Sequence, residues 1–340
     1  MKLNEIDLNK TLMVIHIDFD GTIPIVLNRF FQINYAKEIM TNYGEEFEFN
    51  DLSSGLYDTV IYTDFSPNEK AREIIKEKNI KCFIIDHHEA VTEELNDFCK
   101  NYDKAEYIFD NEKCGSKLYY EWLLENGYKG NDVSDYIIEL VNTYDLYKQD
   151  SDLWKESEDC NRLLYVTCSW YILKSDPTNR IEAYKFFINN MLWKMQNANN
   201  FFFNQLEQSK INEDIKKENE IFENLVKNAP SEISTRKDSK GNYFAIFNCN
   251  SKISAVANRL LKKYPKLAYC MIINDYDKDN PKVSLRSLNF NLLTLNYTSG
   301  HELSCGIDSE KVGDMKDFIK KLRNKEIFEL GFKEITCEML

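Results

Sequence analysis

The sequence predicts an α/β protein with two sheet-bearing regions joined by helices, and three observations carry that expectation. In the first 150 residues, short β-branched apolar runs alternate with longer amphipathic stretches, the pattern of βαβ units and a mostly parallel sheet. From about 160 to 228 no convincing strand occurs, and from 243 onward the strand–helix alternation resumes. The expected division is a first domain over 1–190, a helical linker over 191–230 and a smaller α/β domain over 231–340.

Taken in order, TLMVIHI (11–17), YDTVIYT (57–63) and IKCFII (80–85) read as buried strands. Between the first two lies an expected helix from about Ile23 to Asn42. The next runs from Pro67 to Lys78, with Ser66 as its N-cap and Pro67 in the first position. Further helices are expected near 91–99, 115–126 and 132–147. EDIKKENEIFENLVKN (213–228) reads as a long solvated helix, broken by Ala229-Pro230-Ser231. The later region offers strands at 243–248, 267–273 and 282–287, a helix from near Ser251, and a last helix over about 308–324.

Composition narrows the function classes. The chain has 340 residues, 56 acidic and 43 basic side chains, a net charge of −13, nine cysteines and four histidines. No apolar run approaches the roughly 20 residues that cross a bilayer, and the charged start MKLNEIDLNK lacks the apolar centre of a signal peptide. The odd cysteine count, with no CxxC, fits neither a zinc knuckle nor a secreted disulfide framework, so reduced thiols and a cytoplasmic location are expected. Net acidity argues against a surface that tracks long nucleic acid, which needs clustered Lys and Arg. It leaves room for a small phosphorylated substrate bound locally. The charge is uneven: residues 1–150 hold 30 acids and 15 bases, whereas residues 231–340 hold 14 acids and 18 bases.

The chemistry concentrates at strand ends. In His16-Ile17-Asp18-Phe19-Asp20-Gly21 the period of 2 along an extended strand would project His16, Asp18 and Asp20 from one face. Carboxylates crowded together repel one another unless a cation sits among them. The second strand runs into Asp64 and the third into Asp86-His87-His88. Ligands of an open parallel sheet bind beyond the carboxyl ends of its strands, so these residues describe one site, with Asp145 in VNTYDLY as a fourth contributor. His16, Asp18, Asp20, Asp64, His87 and Asp145 form an O/N donor set without thiolate, suited to Mn²⁺, with Mg²⁺ or Co²⁺ as alternatives. Six ligands suit two ions about 3.5–4 Å apart sharing a carboxylate. A lone Asp at a strand end is ordinarily a turn or cap residue. HxDxDG, however, arises by chance only roughly a few times in a thousand chains of this length, and a DHH after a later strand compounds the coincidence.

These motifs resemble those of the DHH/DHHA1 phosphoesterase superfamily, which includes RecJ-type exonucleases, nanoRNA-degrading oligoribonucleases, cyclic-dinucleotide phosphodiesterases and, more distantly, family II pyrophosphatases. HIDFDG is similar to the first motif, Asp64 to the second, Asp86-His87-His88 to the third and Asp145 to the fourth. CGSKLYYEWL (114–123) is similar to the helix following DHH. The resemblance implies a DHH domain followed by a DHHA1-like domain, and two Mn²⁺ ions held by the six ligands and bridged by Asp64. It implies too that Asp86 orients His87 and that His88 faces the substrate phosphate. In the last 110 residues VSLRS (283–287) resembles a DHHA1 phrase, and Ser299-Gly300-His301-Glu302-Leu303-Ser304-Cys305-Gly306 its GGHxxAAG substrate loop. Ser299 and Ser304-Cys305 depart from that pattern. Arg286, Gly300, His301 and Gly306 are accordingly the expected substrate-binding residues. The implied activity is Mn²⁺-dependent hydrolysis of short oligoribonucleotides or linear dinucleotides, with pyrophosphate, polyphosphate or nucleotide 3′-phosphates as alternatives.

Asp18-Phe19-Asp20-Gly21-Thr22 also resembles the opening motif of haloacid-dehalogenase-like phosphatases, in which Asp18 would be a nucleophile and Asp20 a general acid/base. That reading leaves His16, the DHH strand end and the Gly300-His301 loop without a role. The late acidic motif it needs is matched only by Gly313-Asp314-Met315-Lys316-Asp317, at the wrong spacing. A catalytically silent nucleotide-binding module is the remaining alternative; a missing metal carboxylate would favour it, and none is missing.

Overall fold

The computed structural model describes residues 2–228, 233–238, 240–295, 297–301, 303–307, 309–323 and 333–334, and the chain divides into two compact units, Met1–Ile211 and Asn212–Leu340. In the first unit the order is β1 (Thr11–His16), α1 (Phe19–Phe30), β2 (Lys37–Thr41), α2 (Phe47–Ser53), β3 (Thr59–Thr63), α3 (Glu69–Glu77), β4 (Lys81–Asp86), α4 (Thr92–Asn101), β5 (Ala105–Phe109), α5 (Gly115–Glu125) and α6 (Asp132–Asp145). Helices α7 (Trp154–Thr167), α8 (Trp170–Ser175), α9 (Arg180–Ala183) and α10 (Lys185–Asn197) follow, and α11 (Gln205–Lys227) carries the chain across the division.

The first sheet has the order β2-β1-β3-β4-β5 with every adjacent pair parallel. All five carboxyl ends therefore lie at one edge, and the connection reverses direction between β1 and β3, the switch point where such sheets bind ligands. β1, β3 and β4 are apolar along their lengths because both faces are covered: Leu12, Val14, Val60, Tyr62, Cys82 and Ile84 sit in one core cluster, while Met13, Ile15, Ile61, Phe83 and Ile85 are buried on the other face.

Several elements differ from the sequence expectation for identifiable reasons. The helix expected over 23–42 is a helix followed by a strand. Asp18 starts α1 early by accepting the Gly21 N–H (2.9 Å), and Gln32, in the left-handed region at φ 59°, turns the chain after Phe31 without a glycine to mark it. Pro24 within α1 cannot donate to the Asp20 carbonyl one turn back; the Ser116 hydroxyl donates there instead. The cap of α3 is Asn68, accepting the Ala71 N–H at 2.9 Å, not Ser66. Strand β5 and helix α2 had no expectation at all. The break expected at Ala229-Pro230-Ser231 lies outside the described residues.

The second unit contains β6 (Ser234–Lys237), β7 (Tyr243–Asn248), α12 (Ile253–Lys263), β8 (Tyr269–Asn274), β9 (Lys282–Ser287), β10 (Thr298–His301), β11 (Ser304–Ile307), α13 (Ser309–Val312), α14 (Met315–Arg323) and β12 (Lys333–Glu334). Its sheet is mixed, in the order β10-β11-β9-β8-β7-β6-β12, with β7–β8 the one parallel pair among those registered. The expected substrate loop is thus two paired strands, Gly300 opposite Cys305 and His301 opposite Ser304. The helix expected over 308–324 is two helices, interrupted at Gly313 (φ 78°). Among the described residues every cysteine is a free thiol, and no helix is long and apolar enough to cross a membrane.

Candidate metal centre

The carboxyl ends of β1, β3 and β4 and the last turn of α6 bring eight of the expected site residues together. They do so by a route other than strand alternation. β1 ends at His16; Asp18 is the N-cap of α1 and Asp20 lies in its first turn. This turn can approach the strand because Gly21 has no side chain: a Cβ there would stand 2.2 Å from the His16 carbonyl oxygen. Asp20 is buried, and both its oxygens accept backbone N–H groups at the start of α5, Oδ2 from Gly115 (2.7 Å) and Oδ1 from Ser116 (2.9 Å). A carboxylate there also complements the positive end of the helix dipole.

Asp64 follows β3 in the left-handed region (φ 52°), and its own N–H donates to the Ile85 carbonyl on β4 (3.0 Å). Its two oxygens point to different imidazoles. Oδ2 stands 3.7 Å from His16 Nδ1 and Oδ1 stands 3.3 Å from His87 Nε2. His16 Nδ1 also faces Asp18 Oδ2 (2.9 Å), while His87 Nε2 faces Asp145 Oδ2 (3.3 Å) and Asp20 Oδ2 (3.9 Å). Three sets of ligand atoms lie within 4.8 Å of one another: His16, Asp18 and Asp64; Asp20, His87 and Asp145; and Asp64, Asp86, His87 and His88. Asp64 joins the first to the third.

The electrostatics are those of a site organised around positive charge. Burial, then the charges of Asp20 and Asp18, push the Asp64 carboxyl well above its ordinary range. Burial and the Asp20 charge push Asp145 from 3.8 to about 7, against a smaller opposing effect of His87. Burial disfavours charge on His16, yet the Asp18 and Asp64 carboxylates push that imidazole up to about 12. His16 Nδ1, Asp64 Oδ2 and Asp145 Oδ2 are buried and make no hydrogen bond of acceptable geometry, although they face ligand atoms of other residues. Buried polar atoms left in this way are costly, and divalent cations bound in the two ligand sets would satisfy them. The residues therefore fit metal ions in the manner the donor set implies.

Asp86 holds His88 more directly than His87. Its Oδ1 lies 2.7 Å from His88 Nδ1 and accepts the His87 backbone N–H at 2.8 Å, while its other oxygen takes the Ser66 hydroxyl. Asp86 thus pairs with the His88 ring and holds His87 through its backbone N–H. Burial acts upward on the Asp86 carboxyl, but the hydrogen bonds and charge of His88, with Ser66, hold it below its ordinary value.

Four participants had no site expectation. Asn42 accepts from His16 Nε2 (3.2 Å); Tyr43 is half exposed with its ring 5.2 Å from His16 and 5.9 Å from His88; Ser66 serves Asp86; and Asn142 accepts the Cys114 N–H (3.0 Å) at the start of α5. Ser66 reads by local rules as a helix cap, and Asn42 and Tyr43 follow β2, where the sequence predicts a helix. Gly115 stands where a Cβ would come 2.6 Å from Asp64 Cβ, which explains the glycine in CGSKLYYEWL. In the second unit, Arg286 on β9 donates from Nε to Ser254 Oγ (2.9 Å) and from Nη1 to its neighbour's carbonyl, Leu285 O (2.7 Å). Gly306 lies on β11 with open space where a Cβ would be. Gly300 and His301 are described by their backbone pairing on β10 alone.

The fold is DHH-like. A solved structure described as the DHH domain of a member of a family of ribosomal proteins is similar to this chain, with a TM-score of 0.60 and 13% sequence identity over 94% of this chain and 87% of that one. An uncharacterised protein from Helicobacter pylori G27 matches at 18% identity over 93% of this chain and 98% of that one, with a TM-score of 0.42. No protein-family profile matches the chain, and no curated protein sequence does.

Proposed function

We propose that this chain is a metal-dependent phosphoesterase acting on short phosphorylated substrates, with oligoribonucleotides of a few nucleotides or linear dinucleotides first among them. The observation that carries the proposal is the convergence of His16, Asp18, Asp20, Asp64, His87 and Asp145 at the switch point of a parallel sheet, with buried ligand atoms of three of them lacking hydrogen bonds.

In this reading His16, Asp18 and Asp64 would hold one cation and Asp20, His87 and Asp145 the other, with the Asp64 carboxylate lying between His16 and His87. Bound there, a pair of divalent ions, Mn²⁺ first and Mg²⁺ or Co²⁺ otherwise, supplies an activated water nucleophile and neutralises charge at phosphorus. The Asp20 carboxylate is kept in place by two backbone donors of α5, so its position does not depend on the cation. Asp86 takes the Nδ1 side of His88, and the imidazole is assigned to the substrate phosphate. Arg286, with Gly300, His301 and Gly306, is assigned to phosphate and terminal-nucleotide contacts of the substrate. The acidity of the chain limits the partner to a short one and disfavours long duplexes and membrane surfaces.

The dehalogenase-like alternative is disfavoured by Asp20, whose two oxygens are buried against backbone N–H groups and unsuited to shuttling a proton for Asp18. The deciding experiment strips the protein of metal and restores Mn²⁺. It then offers end-labelled RNAs of two to ten nucleotides, pApA, pAp, cyclic dinucleotides, pyrophosphate and polyphosphate, with Asp64→Ala as control. Hydrolysis of short RNA or pApA, lost in Asp64→Ala, is expected. Cleavage of pyrophosphate or pAp alone would move the substrate within the superfamily, and no hydrolysis of any compound would overturn the enzyme reading. A trapped aspartyl phosphate on Asp18 would select the dehalogenase-like mechanism.

A further inference from the structure

The ring nitrogen that His16 offers to the site is set by a residue outside the expected ligand motifs. Asn42 Oδ1 accepts the backbone N–H of Tyr43 at 2.9 Å and stands 3.2 Å from His16 Nε2. The two contacts together remove an ambiguity that either would leave alone. An amide side chain can face a neighbour with oxygen or nitrogen, and a histidine can carry its proton on either ring atom. A backbone N–H can only donate, so the Asn42 atom beside it is the oxygen. That same oxygen can only accept, so His16 Nε2 is the donor. Nδ1, the ring atom that faces Asp18 and Asp64, is thereby the one left for a cation that takes the place of its proton.

Asn42 is itself anchored. Its N–H donates to Glu45 Oε2 (2.8 Å), and Glu45 receives a two-pronged ion pair from Arg180 (2.5 and 2.7 Å), which lies 135 residues further along the chain at the start of α9. Arg180 is buried, with its guanidinium over the Phe47 ring at 5.0 Å. A bidentate arginine–carboxylate pair fixes direction as well as distance.

We propose that Asn42 is a positioning residue of the metal centre: held by the Glu45–Arg180 clamp, it locks His16 in the Nε2–H form so that Nδ1 is the metal-binding atom. The proposal rests on the metal-centre reading above and concerns how one of its ligands is prepared. A partner on the far ring nitrogen orients a metal-bound histidine and raises its basicity, and losing one ordinarily weakens metal binding about 10–100-fold.

Two measurements test it. In ¹⁵N-labelled protein loaded with Zn²⁺, long-range proton–nitrogen spectra of the four histidine rings are expected to show His16 protonated at Nε2; a proton on Nδ1 would overturn the proposal. In calorimetric titration with Mn²⁺, Asn42→Ala is expected to bind about 10–100-fold more weakly than wild type. Asn42→Asp, which keeps the acceptor, should stay within a few-fold, with circular dichroism verifying that both variants fold. Equal loss in Asn42→Asp and Asn42→Ala, or no loss in either, would overturn the role given to the acceptor. If Asp64→Ala binds Mn²⁺ as wild type does, the metal-centre reading falls and this inference with it. If Asp64→Ala loses the ion while Asn42→Ala keeps it, this inference alone falls.

Discussion

One methyl group at Gly115 tests whether the site depends on the close approach of α5 to β3. An added Cβ would stand 2.6 Å from Asp64 Cβ, 2.8 Å from its Cα and 3.0 Å from its backbone nitrogen. None of these is the yielding end of a flexible side chain. Ordinary contact begins at 3.4 Å, so the two segments must separate by roughly 0.8 Å. If Asp64 moves, the carboxylate lying between His16 and His87 is displaced; if α5 moves, the Gly115 and Ser116 N–H groups carry Asp20 with them. Overpacking of this kind costs about 1–3 kcal/mol, and displacing site groups by about 1 Å can reduce catalysis about 10²-fold. Gly115→Ala is therefore expected to lower the urea midpoint of the metal-free protein and, in calorimetry and turnover assays, to weaken Mn²⁺ binding and hydrolysis together. Gly306→Ala, where no atom lies within 4 Å of the new Cβ, is the matched control and should leave the midpoint unchanged. A Gly115→Ala protein with wild-type midpoint and wild-type Mn²⁺ affinity would refute the packing argument.

Asp145 makes stability depend on pH in a definite direction. Its carboxyl, pushed by burial and Asp20 from 3.8 to about 7, binds more protons folded than unfolded between those values. Its contribution is thus fully present below about pH 4 and lost as pH rises through about 7. Urea midpoints in EDTA should show the decline, and Asp145→Asn should flatten it; Mn²⁺ affinity should rise over the same interval, because loading expels that proton. His88→Ala should cut kcat by about 10²–10⁴-fold if His88 acts on the substrate phosphate, with Mn²⁺ affinity near wild type by calorimetry; a loss of affinity matching Asp64→Ala would instead make His88 a ligand. Ser66→Ala removes the hydroxyl that donates to the buried Asp86 and should cost about 1–3 kcal/mol in thermal or urea unfolding.

The three strands that carry the site were legible because each is apolar on both faces, rich in β-branched residues and too short for a buried helix before a charged residue ends it. β2 was not legible: KEIMT follows α1 after only a few residues, and the turn at Gln32 uses a left-handed residue that leaves no glycine or proline in the sequence. With β2 went Asn42, Tyr43 and Glu45. Ser66 illustrates a different limit. A serine before a proline is a good helix cap by local rules, but burial beside Asp86 offers its hydroxyl a charged acceptor, and Asn68 caps α3 instead.

The sequence by itself determined the α/β class and grouped His16, Asp18, Asp20, Asp64, Asp86, His87, His88 and Asp145 at one end of a sheet. Those properties follow from side-chain period and from the rule that parallel strands present their carboxyl ends together. Only the tertiary structure decided that Asp18 and Asp20 reach the site from a helix start, that Asp86 holds His88, and that Asn42 backs His16. Asp20 meets the Gly115 N–H, His16 meets Asn42 and Glu45 meets Arg180, each from another segment, whereas Asp86 and His88 are close in sequence. Local propensity and spacing carry no information about which distant group will arrive, because that is settled by packing.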